Sequence, residues 1–149
     1  MQQRDYILDI IRQMSHFLAQ AIGYRNEEQQ AVAQLQRASI QLVGIDLDSA
    51  EALSIRSLRM IFLSRGGLDV ARCMVLAVLL KERSETLEDG QRKVELREKA
   101  KILLLDSANA SEQPLPIETL LALEELTLPA ERPQHVVDWL ADLDHPHGA

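Results

Sequence analysis

The stretch AVAQLQRASIQL, residues 31–42, sets Ala31, Leu35 and Ala38 four and then three residues apart, which puts them on one stripe of a helix. The pattern continues outward in both directions. Upstream, Ile7, Ile10, Ile11, Met14, Phe17, Leu18, Ala21 and Ile22 recur every three to four residues and predict a first helix that Gly23 ends. Asn26 is placed to cap the second helix, which runs through Ala31, Leu35, Ala38 and Leu42 to Gly44, a residue suited to a left-handed C-terminal cap. Two antiparallel helices with a short connection are expected.

Further along, Asp48 with Glu51 three residues later reads as a capping box for a brief helix around Ala50 to Leu53. Ser54 caps the next, which carries Leu58, Ile61 and Phe62 inward and ends near Gly66-Gly67. A long, nearly all-apolar helix follows to about Arg83. After Gly90 another helix presents Val94, Leu96, Ala100, Leu103 and Leu104 to the core and Arg92, Lys93, Arg97, Glu98 and Lys101 to water. Residues 109–116, with Ser111, Pro114 and Pro116, form an internal linker before the pattern resumes from Ile117 to Leu126. Leu128-Pro129 ends that helix, Pro133 starts the last one through Val136, Trp139, Leu140 and Leu143, and residues 144–149 read as a flexible tail.

A chain of 149 residues fits one domain that needs neither disulfide nor metal to fold. Hydrophobic residues make up 46% of it and aromatics only 3%, so the core is built from the aliphatic side chains that pack helix against helix, an all-α composition. The formal net charge of −7 opposes a nucleic-acid partner, whose phosphates are held by cations. The single cysteine, Cys73, lies inside the run Cys73-Met74-Val75-Leu76-Ala77-Val78-Leu79-Leu80 and reads as a small buried hydrophobe in a reducing compartment. That run is far short of the ~20 apolar residues a spanning helix needs, so no membrane is expected. The first residues carry neither a signal-peptide apolar region nor a cleavage site, which predicts a cytoplasmic protein.

Ala31, Leu35 and Ala38 resemble the small, large, small spacing of the second helix of a tetratricopeptide repeat (TPR), and Leu18-Ala19 followed by Ile22 resembles the first-helix leucine, small residue and aromatic. Ala stands for the usual Gly there, and Ile for the usual Tyr. A second register aligns Ala100 with Ala38 and is degenerate, with Lys93 and Arg97 at the places of Ala31 and Leu35. The whole chain further resembles an uncharacterised bacterial family of TPR-like proteins, a domain of unknown function. The residues are Arg4-Asp5-Tyr6-Ile7-Leu8, the turn Gly66-Gly67-Leu68-Asp69, Lys99-Ala100 with its following leucines, and Leu128-Pro129-Ala130-Glu131. The resemblance implies antiparallel helical hairpins in a right-handed α-α superhelix of about seven to eight helices, and no particular reaction.

Reactive motifs are missing from the sequence. His16 is isolated, and the other histidines are His135, His145 and His147, so no zinc-protease helix is formed; His145-Pro146-His147 reads as an inert tail. Asp46-Leu47-Asp48 begins like a calcium loop, but Glu51 stands where that loop needs Gly and Ser57 where it needs the closing Glu. The neighbours Glu27-Glu28 and Glu124-Glu125 point about 100° apart on a helix and cannot share a proton. No nucleophile elbow, phosphate loop or C-x-x-C occurs, and no metal or cofactor is expected.

These readings predict a non-catalytic interaction or scaffold module that binds a protein or peptide on a helical surface. If the first repeat register holds, Gln13, His16, Gln20 and Tyr24 resemble the family's groove-lining positions, with Glu82 and Glu85 as second-register counterparts. His16 and Gln20 replace the Lys and Asn of modules that clamp a terminal carboxylate. A homodimer is also expected, because no later helix follows to cover Val136, Val137, Trp139, Leu140 and Leu143. The contrasting expectation is a small-molecule sensor or cryptic enzyme with a pocket around His16, Tyr24 or Cys73.

Overall fold

A computed structural model describes residues 2–24, 27–64 and 66–144, with side chains from 6 to 143 within those limits. The expected cap at Asn26, the His145-Pro146-His147 segment and the rest of the tail after 144 lie outside the described residues. The chain is all-α. Its helices are α1 (Gln2–Gly23), α2 (Glu28–Ala38), α3 (Leu47–Ala52), α4 (Ile55–Phe62), α5 (Val70–Glu85), α6 (Gln91–Ala110), α7 (Ile117–Leu126) and α8 (Gln134–Asp144). A π-helical turn, Ser39–Val43, prolongs α2, and a 3-10 turn, Pro129–Glu131, precedes α8.

Helix α5 is the axis. Its residues Val70, Ala71 and Cys73 to Leu80 are buried, because α1, α2, the π-helical turn, α4, α6 and α7 all pack on it. A helix apolar on every side must be surrounded. Ala31, Leu35 and Ala38 are buried on one stripe of α2, and Ile10, Ile11, Met14 and Ala21 answer them from α1. At the other end α7 rests on α5 and α6, and α8 on α7.

The element ends follow from capping chemistry. Asp46, not Asp48, caps α3: its carboxylate accepts the Ser49 amide at 3.2 Å, so Asp48 falls inside the first turn. Ser54 caps α4 as expected, accepting the Ser57 amide at 3.1 Å. α4 stops at Phe62, short of the glycines, and Leu63–Ser64 (β1) pairs antiparallel with Gly67–Leu68 (β2). Asp69 then caps α5 through the Arg72 amide at 3.2 Å. Gly44 takes the expected left-handed conformation, φ +83°, closing the π-helical turn while the Arg72 guanidinium donates to the Val43 carbonyl.

Two expected core assignments and one linker boundary are corrected. Ile61 is 41% exposed, since the inward stripe of the short α4 is Leu58 and Phe62, one turn apart. Val94 is 60% exposed because it lies two residues, or about 200°, from the buried Leu96. The linker after α6 begins only at Ser111, and it is pinned by Leu115, whose side chain is buried in the core. Among the described residues no helix is long and apolar enough to cross a membrane.

Candidate functional site

Helix α1 turns Ile10, Ile11, Met14 and Ala21 inward and leaves Arg12, Gln13, His16 and Gln20 on its outer side. Against this side lies the π-helical turn, which puts Gln41 on the surface while Leu42 and Val43 enter the core. Between the two is a concavity of about 430 Å³ lined by Arg12, Gln13, His16, Phe17 and Gln41. Phe17 is half-buried and meets the His16 ring edge-on, centroids 6.2 Å apart. Gln13 donates to the Asp9 carboxylate at 2.9 Å, and the Gln20 amide nitrogen lies 3.2 Å from His16 Nε2.

The structure therefore gathers Gln13 and His16 of the expected groove residues at one concavity. Gln20 touches it only through His16, and Tyr24, 37% exposed, stands at the C-terminal end of α1. Glu82 does not face an open groove: it is buried, 8% exposed. Glu85 is half-buried and paired with Lys81 at 3.6 Å and Arg97 at 3.3 Å, because α6 lies directly over this side of α5. Arg12, Phe17 and Gln41 were not singled out from the sequence. Gln41 joins the site only through the π-helical turn, whose wider winding shifts the residues after Ala38 off the periodicity of α2.

A second concavity, about 400 Å³, lies between α3 and α6 and is lined by Asp48, Glu51, Ala52, Arg92, Glu95, Leu96 and Lys99. Several of its charges serve one another. The Glu51 carboxylate takes a hydrogen bond from the Arg92 guanidinium, which holds that guanidinium's pKa above its ordinary value, and lies 3.9 Å from Arg83. Lys99 donates to the Glu51 carbonyl at 2.6 Å, a C-terminal tie for α3. Arg83, 7% exposed on α5, also faces Glu28 of α2 at 3.7 Å. This network joins four helices.

Cys73 is buried with its sulfur 3.4 Å from the Leu103 carbonyl, and desolvation pushes its thiol up to about 12. At neutral pH it is a protonated packing group. Asp46, the start of the apparent calcium loop, is taken up by the α3 cap and by Gln36. No group of metal-ligating side chains assembles among the described residues.

Part of the expected dimer face is covered within the chain. Val136 and Leu140 are buried in the chain's own core, and Trp139 and Leu143 pack partly against it. The covering partners are α7 and the end of α6, where the His135 ring nitrogen meets the Ala108 carbonyl at 3.1 Å and the imidazole stacks edge-on to Trp139. Val137, 40% exposed, is the member of that set that remains open. Comparison of the chain with family models, curated proteins and solved structures returns no match.

Proposed function

We propose that the chain is a non-catalytic interaction module in which TPR-like stacked hairpins hold a peptide or protein segment against the outer side of α1. The concavity between α1 and the π-helical turn carries this reading. Phe17 offers an apolar floor, while Arg12, Gln13, His16 and Gln41 offer a cation, amides and an imidazole to a peptide backbone. The bonds these groups make within the chain, Gln13 to Asp9 and Gln20 with His16, are solvent-exposed and link residues one turn apart. Exchanging them for bonds to a ligand costs little. The stacked arrangement draws support from a recurring relation: α5 rests on both α1 and α2, as α7 rests on both α5 and α6.

Capture from native lysate on the full chain tests the reading. A protein partner retained by the wild type and by Tyr24→Ala, and lost on His16→Glu with unchanged circular dichroism, is the expected result. Thermal stabilisation by a metabolite, with no protein captured, would instead favour the sensor and overturn the module.

A further inference from the structure

Helix α7 offers a second surface, independent of the α1 concavity. Its inner side is complete: Thr119, Leu120, Ala122 and Leu123 are buried. Yet Ile117 and Leu121 are 56% and 51% exposed, one turn apart on the N-terminal half of the outer side. At about 100° per residue, Glu124 flanks this pair on one side, and Glu118 and Glu125 flank it on the other. All three glutamates are exposed.

The charge around the pair is not that of the molecule at large. Residues 1–111 hold fifteen acidic and fifteen basic residues, whereas residues 112–149 hold eight acidic residues against Arg132 alone, and so carry the whole formal charge of −7. Several carboxylates elsewhere are matched within the chain: Glu51 with Arg92, Glu85 with Arg97, and Asp106 with Arg59 at 2.8 Å. On α7, Glu125 reaches Lys81 at 2.9 Å, but the Glu118 and Glu124 carboxylates meet no side chain or amide among the described residues. Arg132, the one Lys or Arg of residues 112–149, spends its guanidinium on the Glu124 and Thr127 carbonyls and the Thr127 hydroxyl, all at 2.9 Å.

We infer that the outer side of α7 docks a cationic amphipathic helix of a partner protein: the Ile117–Leu121 ridge meets the partner's apolar stripe, and the flanking glutamates meet Lys or Arg on both edges of that stripe. The one-turn spacing of two branched side chains forms a ridge that fits the groove of a facing helix. Acid on both sides disfavours a second copy of this chain, an anionic bilayer and a nucleic acid, all of which bring like charge.

The test measures fluorescence anisotropy of a labelled 18-residue synthetic peptide, Leu on one helical side and Lys on the other, with the full chain. Two control peptides are the same composition in scrambled order and the same pattern with Glu for Lys. The amphipathic cationic peptide is expected to bind with a micromolar Kd, at least ~tenfold tighter than either control, and to weaken severalfold between low and high salt. The doubly substituted Ile117→Ser/Leu121→Ser chain should lose ~tenfold or more in affinity, and Glu118→Gln/Glu124→Gln should flatten the salt dependence. Both pairs are exposed, and circular dichroism verifies the fold. His16→Glu should leave this binding intact, so failure here is distinct from failure of the α1 reading. Equal binding of the scrambled peptide, no binding of the amphipathic one, or unchanged affinity of Ile117→Ser/Leu121→Ser overturns the inference. So does self-association of the wild type that Ile117→Ser/Leu121→Ser abolishes, which would assign the ridge to a second copy.

Discussion

Cys73 shows how one side chain's surroundings decide its chemistry. Burial lifts its thiol from the ordinary 9.0 to about 12, so the folded chain keeps the proton through a range in which an unfolded chain loses it. Stability therefore falls as pH rises above the ordinary thiol value, by up to about 1.4 kcal/mol per pH unit, until the folded thiol itself ionises. Urea midpoints of wild type and Cys73→Ala, followed above pH 9.0, should diverge in slope with the wild type falling faster. Parallel slopes would refute the burial argument. In the same way Leu35, fully buried between helices, should cost about 2–5 kcal/mol on Leu35→Ala, measured by chemical denaturation. Both residues were legible from their neighbours, whereas Ile61 was not, because a side chain near the edge of a stripe is placed by the angle at which its helix meets the next.

At the scale of elements, ends and junctions carry the information that periodicity lacks. Gly44 occupies φ +83°, and a Cβ there would meet Arg72 Nη2 at 3.2 Å, so Gly44→Ala should destabilise by about 1–2 kcal/mol and loosen the π-helical turn that supplies Gln41. Loss of Gln41-side binding with α1 intact would be its functional signature. The 3-10 turn depends on Glu131, whose carboxylate accepts the Leu128 amide at 2.8 Å and the Lys101 ammonium at 2.8 Å. The amide, then the ammonium, hold its pKa below the ordinary 4.5. A carboxylate depressed in the folded state stabilises above its unfolded value, and that contribution is lost as pH falls through the lower folded value. The Leu128 amide resonance should accordingly titrate with a midpoint below 4.5, and Glu131→Gln should abolish the titration. An unshifted midpoint would disprove the bridge.

For the whole molecule, the arrangement around α5 predicts the order of opening. Amides of Val70–Glu85 should exchange with solvent slowest, through global unfolding, while the ends of α1 and the 3-10 turn before α8 exchange through local opening. Exchange in α5 as fast as in α1 would contradict the packing. By itself, the sequence determined that the chain is all-α, where most helices start and stop, and that Val70–Glu85 is central, because these depend on short-range spacing and on capping residues next in the chain. Only tertiary structure decided that Gln13 and His16 share a concavity with Gln41, that Glu82 is buried, and that Val136 and Leu140 are covered from within. Those outcomes depend on which helices come together across long separations in the chain, and the pattern within one helix carries no record of its neighbours.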